Sequence, residues 1–246
     1  MNAAQNKLIV ALDVETAAEA RQLVDSLRGI AGMFKIGSQL FTVAGPDLVR
    51  EITKGGEKIF LDLKFHDIPN TVAAAGVEAT RLGVSMFNVH VAGGSTMMRR
   101  TAAAVAECAE REGLALPVIL GVTVLTSSND ETLKEIGVQE KTDALVARLA
   151  QLAAANGLDG VVASAREVSL VRTIVTRPGF IVVTPGVRPA GAANDDQSRV
   201  MSPREAIAAG ADYLVVGRPI IAAANPARAA QQIIEEMRAT VAGGRV

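Results

Sequence analysis

Lys58-Ile59-Phe60-Leu61-Asp62-Leu63-Lys64-Phe65 opens as a strand that is apolar on both faces and ends with a charge at every second residue. Side chains along a strand point alternately to opposite sides, so Asp62 and Lys64 share one face while Leu61, Leu63 and Phe65 take the other. A run such as Ile59-Phe60-Leu61, like Ile181-Val182-Val183 further on, belongs in a parallel sheet covered by helices. If the apolar set faces those helices, the charged set points the other way, into an interior where isolated ions are costly and must pair.

Working outward, short runs rich in β-branched residues recur at 8–12, 33–36, 86–91, 118–124, 160–163, 180–184 and 213–216, with helix-patterned segments between them. With 58–65 they make about eight strands in alternation with helices. The helical segments include 17–27, 71–82, 95–111, 142–156 and 226–241, and several close on glycine or asparagine: Gly29, Gly83, Gly113, Asn156 and Gly210. A doubly wound open sheet would carry a glycine-rich dinucleotide loop after its first strand, where Asp13-Val14-Glu15-Thr16 stands instead. The expectation is an α/β fold, a single (β/α)8 or TIM barrel spanning 1–246, a length that suits one such domain.

Composition narrows the function. Hydrophobic residues at 49% and charged residues at 21% describe a globular chain. Aromatics are 3%, tryptophan is absent and the formal net charge is -1, which excludes a general nucleic-acid binder and points to small-molecule partners. Cys108 is the single cysteine, so no internal disulfide can form and a reducing compartment fits. One cysteine with His66 and His90 cannot build an ordinary zinc site, and no metal is expected. Residues 1–7 lack a basic segment leading into an apolar run, and no stretch approaches membrane-spanning length; a cytoplasmic protein without membrane contact is expected.

The charges gather where barrels carry their chemistry. Asp13 follows the first strand, Lys35 lies in the second, Asp62 and Lys64 in the third, and Asp67 just beyond it, all near C-terminal strand ends. A structural ion-pair network is the plainer reading. Four or five members of alternating sign on one face favour a functional cluster instead. Each opposed pair at about 4 Å contributes on the order of 4 kcal/mol at an effective dielectric near 20, enough to hold a lysine in place. For His66 and His90 the plainer reading, hydrogen-bonded core residues, is preferred.

After the seventh strand comes Thr184-Pro185-Gly186-Val187-Arg188-Pro189, and the eighth ends in Val216-Gly217-Arg218-Pro219. Loops after strands seven and eight commonly hold phosphate in this fold, and arginine presents a planar fork to its oxygens. Two loops, 126–139 and 185–202, exceed what a barrel needs, as binding loops do. The second contains the small polar run Ala190-Gly191-Ala192-Ala193-Asn194-Asp195-Asp196-Gln197, which suits a closing segment.

Asp62-Leu63-Lys64-Phe65-His66-Asp67-Ile68-Pro69-Asn70-Thr71 resembles the signature of the orotidine 5'-phosphate decarboxylase family of bacterial type. Ala11-Leu12-Asp13, Phe34-Lys35-Ile36-Gly37, Leu125-Thr126-Ser127 and the two arginine loops follow in family order over nearly the whole chain. The resemblance implies a ribulose-phosphate-binding type of barrel and cofactor-free conversion of orotidine 5'-monophosphate to UMP. It makes Lys35, Asp62, Lys64 and Asp67 an alternating array, with Lys64 the proton donor to the carbon that loses CO2. It assigns Asp13 and Lys35 to the ribose hydroxyls, Thr126 and Ser127 to the pyrimidine, and Arg188, Gln197, Gly217 and Arg218 to the phosphate. It also implies a homodimer in which Asp67, with Ile68 and Thr71, reaches the neighbouring active site. Two other readings stay open on the residues alone: a Mg2+-dependent sugar-phosphate barrel enzyme using the same Asp-x-Lys-x-x-Asp pattern, and a non-catalytic barrel that binds a phosphorylated ligand.

Overall fold

The computed structural model describes residues 3–189 and 201–238. A short helix α1 (Ala3–Asn6) leads into eight parallel strands that pair in chain order and close on themselves: β1 (Leu8–Ala11), β2 (Met33–Gly37), β3 (Ile59–Phe65), β4 (Met86–His90), β5 (Val118–Val122), β6 (Gly160–Val162), β7 (Ile181–Pro185) and β8 (Tyr213–Val216). The closing pair is β1 with β8, Ile9 opposite Val215. The expected barrel is therefore the observed one.

Helices cover the outside: α2 (Ala17–Leu27), α3 (Ser38–Lys54), α4 (Pro69–Arg81), α5 (Gly94–Glu112), α6 (Asp130–Glu135), α7 (Thr142–Ala155), α8 (Val168–Ile174), α9 (Pro203–Ala208), α10 (Arg218–Ile221) and α11 (Pro226–Arg238). Their starts follow local chemistry. Thr16 and Glu19 form a reciprocal cap on α2, and Pro69, whose missing N–H costs nothing in a first turn, opens α4 two residues before the expected start. Helix α3 is absent from the expected helices because Gly45-Pro46 interrupts its pattern; Gly45 adopts φ 64 and the chain kinks there. The long loop after β5 contains α6, capped by the Asn129 side chain. The end of the helix expected at 226–241 lies outside the described residues.

Two apolar layers result. The larger packs the outer faces of the strands, including Leu61, against the helices, with Leu63 and Phe65 resting on it. The smaller contains strand residues alone, among them Ile9, Met33, Phe60, Met86, Leu120, Val183 and Val215, and fills the barrel. Side chains alternate between these layers, so Lys35, Asp62 and Asn88, next inward after Met33, Phe60 and Met86, point into the barrel mouth.

Strict alternation fails at one place. Between β3 and β4 the register passes from Leu61 opposite Phe87 to Phe65 opposite Val89, so three residues of β3 face the single residue Asn88. Lys64 absorbs the excess with φ 51, and among the described residues no other non-glycine has a positive φ. A left-handed backbone costs a residue with a β-carbon on the order of 1 kcal/mol and persists only where its surroundings impose it. Such bulges re-aim side chains next to functional sites.

Candidate active site

The charged residues form one connected row. Asp13 Oδ1 accepts from Lys35 Nζ at 3.1 Å, Lys35 Nζ lies 3.3 Å from Asp62 Oδ2, and Asp62 Oδ1 accepts from Lys64 Nζ at 2.7 Å. Lys35 and Asp62 are buried, each 9% exposed, so this pairing is screened little by water. The row lines a cleft of about 270 Å3 at the C-terminal end of the barrel. Phe60, Val122, Val162 and Val215 form its apolar wall, Val124, Leu125 and Thr126 flank it from the β5 loop, and Gly186, Arg188, Gly217 and Arg218 border it from the β7 and β8 loops. A β-carbon at Gly217 would sit 3.3 Å from Asp13 Oδ2, so glycine keeps that carboxylate open to the cleft.

The other expected site residues divide. Ser127 does not line the cleft, although its neighbour Thr126 does. Asp67, Ile68 and Thr71 stand outside it on the exposed start of α4. Asp67 Oδ1 accepts from the backbone N–H of Ile68 at 2.6 Å, and the ion-pair partner of Lys64 among the described residues is Asp62. Gln197 and the rest of 190–197 lie outside the described residues. Their flanks meet where Arg188 N–H donates to Met201 O at 3.1 Å.

Asn88 is the residue that the sequence reading passed over. It is fully buried, its Nδ2 donates to Asp62 Oδ1 at 2.7 Å, and its Oδ1 accepts from the Lys64 backbone N–H at 2.8 Å. The available signal was an amide at an inward position of Met86-Phe87-Asn88-Val89-His90, where an apolar residue is the default.

His66 and His90 sit beside the array, ring centroids 5.3 Å apart. Burial holds His90 below the usual histidine range, His66 and Lys64 push the same way, and Asp62 opposes them. A lowered folded value means that between it and the ordinary value near 6.5 the unfolded chain binds more protons. Stability therefore rises with pH across that window and falls on acidification through it. His90→Gln is expected to flatten this slope, read as the change in urea midpoint between pH 5 and pH 7 for variant against wild type.

A barrel whose mouth is lined by alternating ammonium and carboxylate groups and by paired arginine loops falls among barrel enzymes that handle small anionic substrates. The model of the orotidine 5'-phosphate decarboxylase / HUMPS family matches residues 6–233, and the chain belongs to that family. It is similar to the orotidine 5'-phosphate decarboxylase of Syntrophotalea carbinolica, 57% identical over 241 residues covering 98% of each chain. The Geobacter sulfurreducens protein of the same name is 52% identical, with 96% of this chain and 98% of that one covered. A crystal structure of orotidine 5'-phosphate decarboxylase from Lactobacillus acidophilus superposes with a TM-score of 0.82 at 35% identity, covering 94% of this chain and 98% of the other.

Proposed function

We propose that the protein decarboxylates orotidine 5'-monophosphate to UMP in pyrimidine biosynthesis, with Lys64 as the acid and fixed charges in place of a cofactor. The observation that carries the reading is the Lys64 ammonium, 2.7 Å from Asp62 and lining a cleft that Arg188 and Arg218 also line. Breaking the bond from C6 to CO2 leaves its electron pair in an in-plane orbital that the pyrimidine ring cannot delocalise. The Lys64 ammonium offsets that charge and transfers its proton to C6, giving UMP and neutral lysine. Enzymes lower barriers by roughly 8 to 23 kcal/mol, and a decarboxylase without an electron sink needs the upper part of that range.

The remaining roles follow the same assignment. Asp13 and Lys35 hold the ribose hydroxyls, Thr126 meets the pyrimidine, and Arg188, Gln197, Gly217 and Arg218 bind the phosphate. Phosphate binding far from C6 then contributes to orientation at the reacting carbon. A homodimer brings Asp67, Ile68 and Thr71 of one protomer to the Lys64 of its partner. One fact supports it: among the described residues Asp67 forms no ion pair with the array of its own chain, and it does not line its cleft.

The Mg2+-dependent reading fits the site less well. Both Asp62 oxygens already face ammonium groups, and one also accepts from Asn88, which leaves poor terms for a divalent cation. Among the described residues no group of three or more His, Cys, Asp or Glu side chains is disposed to hold a metal. The deciding measurement is CO2 release from orotidine 5'-monophosphate by purified protein. Turnover is expected, and it is expected to be unchanged in EDTA. Loss of activity in chelator, restored by Mg2+, would replace this proposal with the metal-dependent one.

A further inference from the structure

We infer that Asn88 is a positioning residue for the proton donor: its side-chain amide locks both the Lys64 backbone and the Asp62 carboxylate, and through them fixes where the Lys64 ammonium sits. The inference rests on the reading of Lys64 given above and deepens it.

Three hydrogen bonds and one side chain close a ring. The Lys64 backbone N–H donates to Asn88 Oδ1 at 2.8 Å, Asn88 Nδ2 donates to Asp62 Oδ1 at 2.7 Å, and that same oxygen accepts from Lys64 Nζ at 2.7 Å. The Lys64 side chain completes the circuit. One buried amide thus ties together the two ends of a single lysine, its peptide nitrogen and its reactive nitrogen. The orientation of the amide is fixed by chemistry: a peptide N–H can only donate and a carboxylate can only accept, so the reversed amide would face donor with donor and acceptor with acceptor.

The ring also accounts for the bulge. Three residues of β3 stand opposite Asn88 alone, and Lys64 takes φ 51 there. A left-handed lysine needs something to hold it, and the Asn88 oxygen on its N–H does so from a fully buried position on the neighbouring strand. Without that bond, β3 gains by relaxing toward regular pairing, which swings Lys64 away from its place. A shift of about 1 Å in a reacting group costs roughly 10²-fold in rate.

Asparagine and aspartate have the same shape, so Asn88→Asp separates polarity from packing. Ionised, the new carboxylate abuts Asp62 with like charge and no donor between them. Protonated, it donates O–H to Asp62 and still accepts from Lys64 N–H, which rebuilds the ring. The charged groups around this pair are Lys35 on β2, Lys64 on β3, His90 two residues along β4 with His66 against it, and Asp13 beyond Lys35. The two carboxylates then titrate as a unit.

The experiment measures kcat and KM for orotidine 5'-monophosphate from pH 5 to pH 9 in wild type, N88D, N88A and K64A, with folding checked by circular dichroism and ligand binding by UMP titration. N88D is expected to keep UMP affinity and KM, lose about 10²-fold in kcat at the alkaline end, and recover as pH falls, a recovery that wild type lacks. N88A, which adds neither bulk nor charge, is expected to lose a similar factor without the recovery. If both Asn88 variants bind UMP and turn over within about threefold of wild type, or if N88D follows the wild-type pH profile, Asn88 only fills space and the inference falls. Turnover that survives in K64A would instead overturn the reading of Lys64 itself, whatever Asn88 does.

Discussion

Lys64→Ala is expected to leave a folded protein that binds UMP and releases CO2 from orotidine 5'-monophosphate at least about 10⁴-fold more slowly. Proton transfer by a placed acid contributes roughly 10²- to 10⁴-fold, and a preorganised charge beside the developing anion contributes about as much again; the substitution removes both. KM is expected to change little, because the arginine loops and the pair Asp13 and Lys35 are untouched. Folding should survive: Lys64 is part-exposed, with 36% of its side chain open to solvent, and alanine relieves Asp62 of one of two ammonium partners rather than orphaning it. The measurement is CO2 release under single-turnover conditions with UMP titration alongside. Turnover within tenfold of wild type would remove Lys64 from the chemistry.

The same variant tests whether neighbouring protomers share sites. Under the proposed dimer, Asp67→Asn is expected to be inactive for a different reason, loss of the carboxylate that one protomer would place beside its partner's Lys64. Co-refolding K64A with D67N then yields hybrid dimers in which one site carries both lesions and the other carries neither. Half the dimers are hybrids and half their sites are intact, so activity should return to roughly a quarter of wild type. A mixture as dead as its parents would mean that Lys64 and Asp67 act within one chain or not together at all.

Much of this arrangement was legible in the residues because it rests on periodicity. Two-sided apolar runs separated by helical segments specify a closed parallel sheet, and the eight observed strands fall where those runs do. The inward aim of Asp62 followed from the two-residue repeat once its apolar neighbours were set against the helices. What escaped was whatever depends on contacts between strands. The bulge opposite Asn88 has no signature in Leu61-Asp62-Leu63-Lys64-Phe65, since regular alternation in the letters conceals an irregular backbone. Asn88 itself, a lone amide in an apolar strand, acquires meaning only when β3 lies beside it. Helix α3 escaped for a local reason, the Gly45-Pro46 kink.

Asp62 is the hub of the array, and Asp62→Ala is expected to damage stability and activity together. Its carboxylate faces Lys64 Nζ at 2.7 Å, Asn88 Nδ2 at 2.7 Å and Lys35 Nζ at 3.3 Å, and it is 9% exposed. Without it two ammonium groups confront each other across the gap, Lys35 keeping Asp13 while Lys64 loses the one ion-pair partner it has among the described residues. Breaking a buried pair by removing one partner costs about 3 to 5 kcal/mol, which for a chain of this size lowers Tm by on the order of 10 °C. Lys64 is released as well, so kcat should fall about 10³-fold or more. The behaviour of KM distinguishes two roles. Were Asp62 chiefly repelling the substrate carboxylate, its removal would tighten binding and lower KM as kcat falls. With two ammonium groups and an amide already on its oxygens, Asp62 presents little unbalanced negative charge to the cleft, so anchoring dominates and KM should hold. Calorimetry and steady-state kinetics on D62A, with D62N as the variant that retains an acceptor but no charge, test both halves. A Tm within 2 °C of wild type or a sharply lowered KM would each refute the anchor.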